Sequence, residues 1–405
     1  MKIVLINAMV QGSTGKIMLQ IASCARCHGI QATTFSTNCS GKYYKKLPLA
    51  PEGHKYYSTF VENFIHLGLG MVTGFQECFG FYSTWRLIRQ IDRINPEIIH
   101  LHNLHSAYIN IGMLFRYIKK KNIKVVWTFH DCWPFTGQCP HFTLAKCNKW
   151  KTGCFSCPQY KKYPKAYIDQ TKYMWKIKKK LFTLPQKMVI VTPSEWLRGL
   201  VKESFLGKYP VKVVNNGIDL SVFRPTKSDF RKKYNLEKKH IVLGVSFSWG
   251  YEKGLDVFIE LASKLNNNYQ IILVGTTSDI DCLIPKNIIS LHKTSNQNEL
   301  AEIYSVADVF INPTREENYP TVNMEALACG TPVITFKTGG SSEMITNECG
   351  RVVNPNDVEG IIQNIIDICE RRAIPTETCV LHAQDFDKTK KFEKYISIYK
   401  ELREE

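Results

Sequence analysis

Asn312-Pro313-Thr314-Arg315-Glu316-Glu317-Asn318-Tyr319-Pro320-Thr321-Val322-Asn323-Met324-Glu325-Ala326-Leu327-Ala328-Cys329-Gly330-Thr331-Pro332 is the densest chemical signal in the chain. It opens at the end of an apolar run, Asp308–Asn312, that predicts a β-strand. Pro320 suits the first turn of a helix, where a missing N–H costs little. Glu317 and Glu325 lie eight residues apart with that proline between them. Glu317 therefore stands before the helix and Glu325 about one turn inside it. Free backbone N–H groups at the helix start, around Thr321 and Val322, form an anion site. A carboxylate beside it can accept hydrogen bonds from ribose hydroxyls. Taken alone, the pair reads more simply as an acidic first turn meeting the helix dipole.

Outward from this stretch, apolar β-rich runs alternate with helical patterns. Strands are predicted at Ile3–Asn7, Ala32–Ser36, Ile98–His102, Lys124–His130 and Met188–Thr192. A second series follows at Ile241–Ser246, Gln270–Gly275, Ile288–Leu291, Asp308–Asn312 and Pro332–Phe336. Several are continuous apolar runs, as expected of strands covered on both faces. Helical patterns such as Leu255–Asn266, Asn298–Ala307 and Asp357–Arg371 separate them. Strand–helix–strand repetition means an α/β chain with parallel sheets and helices on both faces. Two series predict two doubly wound domains, breaking near Lys208–Pro210. Ligands are expected beyond the carboxyl ends of the strands, in a cleft between the domains. Phe386–Leu402 carries a helical stripe of Phe392, Tyr395, Ile396 and Tyr399, expected to pack back across the first domain. The expected limits are 1–208, with a Cys-rich insertion over 132–160, then 209–384, then a terminal helix over 385–405.

The 405 residues are 44% hydrophobic and 22% charged, which excludes disorder as the main state. Lys plus Arg exceeds Asp plus Glu by 53 − 36 = 17, which favours anionic partners. No apolar run approaches the roughly 18 residues that span a bilayer. The Gln11–Lys16 stretch interrupts any signal-peptide reading of the N-terminus, which reads as a first strand and a glycine loop. Fourteen cysteines are too few for a disulfide scaffold of this length. Nine are scattered, Cys24, Cys27, Cys39 and Cys78 among them, and most are expected in the core. Reduced thiols imply a cytosolic chain.

With the Ala326–Pro332 continuation, the opening string resembles the E-x7-E signature of glycosyltransferase family 4. Thr338-Gly339-Gly340-Ser341 followed by Glu343, Asn216-Gly217-Ile218-Asp219 followed by Phe223, and Pro193-Ser194 also resemble that family's motifs. A closer likeness, to bacterial colanic-acid and exopolysaccharide-type transferases, rests on three further strings. They are Gly12-Ser13-Thr14-Gly15, His100-Leu101-His102-Asn103 and Thr128-Phe129-His130-Asp131-Cys132-Trp133. The resemblance covers nearly the whole chain. It implies a GT-B fold: two Rossmann-like domains facing a central cleft, with the C-terminal helix crossing back to the first.

It also implies a retaining transferase that moves a sugar from a nucleotide-diphosphate sugar to a glycan or polyprenyl-diphosphate-linked acceptor. No cofactor or metal is expected in the chemistry, and no protein nucleophile is assigned. Glu325 takes the role of ribose holder. Glu317 lies near the donor sugar, with Glu316 competing for that part. Asn318 stands where the family usually has Gly, and its amide can still meet phosphate. Tyr319, Thr321, Val322, Gly339 and Gly340 complete the donor side. A basic pair normally clamps the diphosphate. Lys253 before Gly254-Leu255 supplies one member, but the Arg position reads Phe247-Ser248-Trp249. Ser248, backbone amides or Arg315 are the candidate replacements. His130 is placed near donor sugar and phosphate as a hydrogen-bonding group. Gly12, Ser13, Thr14, Gly15, His102 and Asn103 are placed on the acceptor side. His100 and His102 alternate on a strand and so share a face, which also fits metal ligation.

Cys139, Cys147, Cys154 and Cys157 have the spacing C-x7-C-x6-C-x2-C. The C-x2-C half and four thiols suit a closed structural zinc, with disulfides or free thiols as rivals. The run MWKIKKKLF, with Lys176, Lys178, Lys179 and Lys180 among aromatic and aliphatic residues, fits peripheral contact with an anionic membrane. Lys119, Lys120 and Lys121 add a second basic run. The location expected is cytoplasmic, at the inner face of the cytoplasmic membrane. Competing readings are a sugar-nucleotide epimerase, a non-catalytic sugar-nucleotide-binding protein and a nucleic-acid-binding protein. The last is disfavoured because no recognised nucleic-acid module is present.

Overall fold

The computed structural model describes residues 1–37 and 50–404. Cys39 lies outside the described residues. The chain divides into two units, Met1–Asn215 with Lys391–Glu405, and Asn216–Lys390.

The first unit runs β1 (Lys2–Ile6), α1 (Gly12–Cys27), β2 (Gln31–Thr37), β3 (His54–Ser58), α2 (Phe60–Thr73) and α3 (Phe81–Ile94). It continues β4 (Ile98–Leu101), α4 (Ile111–Lys121), β5 (Lys124–Thr128), α5 (Thr171–Phe182), β6 (Met188–Thr192), α6 (Glu195–Glu203) and β7 (Val211–Val213). Its seven strands are ordered β3-β2-β1-β4-β5-β6-β7, all parallel. β4 and β6 are buried throughout, and β1 and β5 throughout apart from their first residue, because helices cover both faces.

The second unit runs α7 (Phe230–Lys233), β8 (His240–Val245), α8 (Leu255–Lys264), β9 (Tyr269–Val274), β10 (Ile288–Leu291), α9 (Gln297–Val306) and β11 (Val309–Asn312). Then follow α10 (Thr321–Ala328), β12 (Val333–Phe336), β13 (Gly350–Val353), α11 (Val358–Glu370) and α12 (Thr376–Ala383). Its six strands are ordered β10-β9-β8-β11-β12-β13, again parallel. The last helix, α13 (Lys388–Glu404), returns the chain to the first unit. There it buries Phe392, Tyr395, Ile396 and Tyr399, with Ile398 and Leu402, against the face of the β1–β6 sheet that also receives α1.

All ten predicted strands form, to within two residues at each end. Three strands escape the sequence reading: β3, β7 and β13. Each is a sheet edge, short and part-exposed, so its apolar pattern is broken. β7 corrects the expected break at Lys208–Pro210, since its Val211 pairs with Ile190 of β6. The chain leaves the first unit only after Asn215.

The 132–160 insertion joins β5 to α5 with two single turns of 3₁₀ helix, Trp133–Phe135 and Lys149–Lys151. α5 leaves the apolar and aromatic residues of MWKIKKKLF no part in the expected peripheral membrane contact. Its apolar side, Met174, Trp175, Leu181 and Phe182, is packed into the first unit. Lys178 is fully buried with it. Its Nζ donates to the carbonyls of Trp133 (2.9 Å) and Thr136 (3.2 Å) and lies 3.4 Å from the centre of the Trp133 ring. Burial pushes its pKa down to about 7. Among the described residues, no helix is long and apolar enough to cross a membrane.

Candidate active site

In a doubly wound sheet, loops on either side of the point where strand order reverses leave a crevice at the carboxyl ends. In the second unit that point falls between β8 and β11. The loop after β8 carries Lys253 and the loop after β11 carries Glu317. Lys253 Nζ donates to Glu317 Oε2 at 2.7 Å, across 64 residues of sequence. Both side chains keep partial access to solvent.

Backbone geometry brings them together. Gly254 has φ +74°, and a Cβ there would stand 2.5 Å from the carbonyl oxygen of Pro313, so the Lys253 turn lies directly on the Glu317 loop. Gly339 has φ +55°, and its Cβ would stand 1.9 Å from the carbonyl oxygen of Glu317. The Gly340 N–H donates to the Asn318 carbonyl at 2.8 Å. The loop after β12 is thus stitched to the signature loop.

Glu317 Oε1 accepts the Asn318 N–H at 3.1 Å. Asn318 and Tyr319 are buried, while Glu316 and Glu317 are half-buried. Asn216 Nδ2 donates to the Tyr319 carbonyl at 3.3 Å, which ties the unit's first residue to this loop. Pro320 caps α10, and Thr321 and Val322 sit half-buried in its first turn. Glu325, one turn on, is half-buried and accepts a hydrogen bond from the Tyr304 hydroxyl at 3.3 Å. Burial, reinforced by the Glu325 charge, holds the Tyr304 pKa well above 10, so the phenol stays a donor.

Arg315 does not replace the missing phosphate-clamping arginine. It is buried, it makes a two-pronged pair with Asp256 at 2.8 Å for each prong, and it donates to the Tyr251 carbonyl at 2.6 Å and to Asn356 at 2.8 Å. Its work is to hold the Tyr251–Lys253 turn against the signature loop. Ser248 is exposed in a turn closed by Ser246, whose hydroxyl donates to the Ser248 carbonyl at 2.8 Å. The neighbouring Phe247 is 99% exposed, an aromatic ring that composition and motif reading passed over.

In the first unit the strand order reverses between β1 and β4. The glycine loop follows β1, with Gly12 to Gly15 forming the first turn of α1. His102 and Asn103 follow β4. Asn7, fully buried at the end of β1, joins the two. Its Nδ2 donates to the Met9 carbonyl (2.8 Å) and Thr14 Oγ1 (3.2 Å), and its Oδ1 accepts the Asn103 N–H (3.1 Å). Ser13 is exposed beside Thr14.

The histidines form a chain rather than a metal set. His102 Nδ1 and His130 Nε2 are hydrogen-bonded at 3.0 Å with their rings stacked. His100 shares the His102 face, as strand alternation requires, but is held by Tyr399 (2.6 Å) and Thr128 (2.8 Å). Burial lowers the pKa of His130 to about 4 and of His100 to about 3, and drives that of His102 well below 6.5. All three are neutral at pH 7. His105 binds Asp131 at 2.8 Å; burial raises the Asp131 pKa, but the histidine beside it leaves it lowered overall.

Cys139, Cys147, Cys154 and Cys157 all line one cavity of about 20 Å³. The Gly137 N–H donates to Cys154 Sγ at 3.1 Å and the Gln159 N–H to Cys157 Sγ at 3.4 Å. Among the described residues, no three His, Cys, Asp or Glu side chains stand at metal-holding spacing. Among the described residues no cysteine is joined in a disulfide.

Two parallel doubly wound units, each with polar side chains gathered at its switch point, are those of the GT-B fold. The chain belongs to glycosyltransferase family 4: that family's model matches residues 19–222, and the model for glycosyl transferases group 1 matches residues 226–404. It is similar to WcaC of Escherichia coli K12, a candidate colanic acid biosynthesis glycosyl transferase, with 27% identity over 71% of each chain. It is also similar to the Campylobacter jejuni N,N'-diacetylbacillosaminyl-diphospho-undecaprenol alpha-1,3-N-acetylgalactosaminyltransferase. That match is 24% identical over 45% of this chain and 52% of the relative. Among solved structures, Anabaena Alr3699/HepE in complex with UDP superposes with a TM-score of 0.68 at 14% identity, covering 99% of this chain and 100% of that one.

Proposed function

We propose that this glycosyltransferase moves a hexosyl or related sugar from a nucleotide-diphosphate sugar to a glycan or polyprenyl-diphosphate-linked acceptor. The step keeps the anomeric configuration and uses no metal. The observation that carries this reading is the Lys253–Glu317 pair at the β8/β11 switch point, with the start of α10 and Glu325 beside it. Solved neighbours of the same fold in complex with UDP and with UDP-glucose support a nucleoside diphosphate donor. The undecaprenol-linked acceptor in the Campylobacter relative's name supports a lipid-linked acceptor. Relatives named for colanic acid and O-antigen synthesis support a place in cell-surface polysaccharide assembly.

Glu325 accepts the ribose hydroxyls. Lys253 exchanges Glu317 for the diphosphate, and the first-turn amides of α10 share its charge. The glycosidic C–O bond to the phosphate breaks as the acceptor oxygen bonds to the same carbon from the same face. The acceptor proton passes to the departing phosphate oxygen. His130, neutral at pH 7, contributes a hydrogen bond rather than a proton. In the first unit, Asn7 positions Thr14 and Asn103 on the acceptor side.

The test is transfer from labelled UDP- and GDP-sugars in the presence of EDTA, with the product anomer read by NMR. An inverted product would overturn retention, and loss of transfer to EDTA with rescue by a divalent ion would overturn metal independence. Conversion of the sugar nucleotide without acceptor would favour the epimerase reading.

We also propose a structural zinc drawn in by Cys139, Cys147, Cys154 and Cys157. Four thiols line one cavity, two of them accepting backbone N–H groups, and they would have to close together on the ion, since no three stand at metal-holding spacing among the described residues. It takes no part in the transfer.

A further inference from the structure

Helix α2 is built inside out. Its buried residues are Asn63, His66 and Gly70, while Phe60, Val61, Phe64, Ile65, Leu69 and Val72 are exposed. The apolar positions fall on one continuous stripe at helical period, the pattern that ordinarily faces a core. Here it faces outward, with exposures from 42% at Phe60 to 61% at Val61. Water is a poor solvent for such a face, so the arrangement makes physical sense only if something apolar covers it.

The surface extends beyond the helix. Phe81, Tyr82 and Trp85 of α3 are 61%, 62% and 47% exposed. A cavity of about 250 Å³ between the two helices has Ile65, Leu69, Phe81 and Tyr82 in its walls. At the other end of α2 the Tyr167 N–H donates to the Met71 carbonyl at 2.8 Å, which sets exposed Tyr167 and Ile168 alongside.

The charge around this face is predominantly positive. Lys161, Lys162, Lys165 and Lys172 are all exposed on the segment beside Met71. Arg89 lies 5.4 Å from the centre of the Trp85 ring. The acidic groups nearby are engaged: Glu62 with Arg86 at 2.5 Å, and Asp169 with the Cys157 N–H and Thr171. An aliphatic and aromatic stripe with a lysine rim complements a bilayer whose surface is anionic.

We propose that the α2–α3 face, with the 161–172 segment, docks on an anionic phospholipid bilayer. The apolar stripe enters the headgroup–acyl boundary and the lysines meet lipid phosphates. This moves the membrane contact from α5, whose apolar side is core, to a surface the basic-run reading overlooked. The proposal stands apart from the transfer chemistry, because neither the apolar stripe nor the lysines carry any of the residues assigned to it.

The test is co-sedimentation of the full chain with vesicles of phosphatidylcholine, with and without phosphatidylglycerol. The expected result is binding to the anionic vesicles that weakens as salt rises. Phe64→Asp with Ile65→Asp should weaken binding about tenfold or more, given the loss of two buried apolar side chains. Lys161→Glu, Lys162→Glu and Lys165→Glu together should do the same. Both sets are exposed, so the melting temperature should hold. Phe64→Trp gives a second readout, a blue shift of emission on adding anionic vesicles. Failure of the wild type to sediment, or equal sedimentation by the variants, would overturn the proposal. So would a dimer in light scattering that Phe64→Asp dissolves, which would assign the face to a second copy of the chain.

Discussion

Replacing Glu325 by Gln removes a charge and almost nothing else. The side chain keeps its shape and one carbonyl oxygen, so the Tyr304 hydroxyl, 3.3 Å from the carboxylate, keeps an acceptor. What changes is the strength of the hydrogen bonds a ribose diol can donate. Bonds to a charged group contribute about 1.5–3 kcal/mol and neutral ones about 1 kcal/mol, so two ribose bonds lose about 1–4 kcal/mol together. That is roughly a fivefold to several-hundredfold rise in the dissociation constant of the nucleotide. The assay is calorimetric titration of UDP and GDP into wild type and variant, with melting temperature as a control for fold. Tyr304→Phe serves as the internal comparison. It frees Glu325 of its neighbour without touching the charge, and should change affinity by no more than about 1 kcal/mol. An unchanged nucleotide affinity in Glu325→Gln, at unchanged melting temperature, would refute the ribose assignment.

Gly339→Ala places a Cβ 1.9 Å from the Glu317 carbonyl at φ +55°; the expected loss in urea denaturation is about 2 kcal/mol or more, accompanied by weaker donor binding. The buried histidines set an acid limit. His100 and His130 have folded pKa values of about 3 and about 4, below the ordinary value near 6.5. Below pH 6.5 the unfolded chain takes up protons that the folded chain does not, so stability is full above that pH and falls as pH drops toward 4. The decline should approach about 1.4 kcal/mol per pH unit for each histidine. Urea unfolding between pH 7.5 and 5 checks this, and a flat profile would contradict it. Metal analysis of the reduced protein should find about one zinc per chain, released by a thiol-reactive mercurial; less than half would count against the four-thiolate site.

Much of this is legible in the sequence. Ten strands declared themselves because helix-covered strands are continuous apolar runs, and the signature helix declared itself through Pro320 and its two glutamates. The edge strands β3, β7 and β13 did not, since an edge is neither long nor apolar enough to stand out. Other features depend on contacts that no local window holds. Asn7 reads as the end of a strand until β1 and β4 pair and bring Asn103 to it. His100 reads as a site residue until Tyr399, 299 residues away, takes its ring. Arg315 reads as a free cation until Asp256 binds it. The two amphipathic helices show the limit most sharply. α5 pairs lysines with aromatics and is core, while α2 carries an ordinary core stripe and turns it outward. Periodicity reveals that a helix has two faces, and only packing decides which one is inside.

The central claim is that the second unit holds a nucleotide-diphosphate sugar. The most direct test is a thermal-shift panel of UDP- and GDP-sugars in EDTA, followed by calorimetry of any that respond. The account predicts saturable stabilisation by at least one of them, weakened in Glu325→Gln and in Lys253→Ala. No stabilisation by any nucleotide sugar would contradict it.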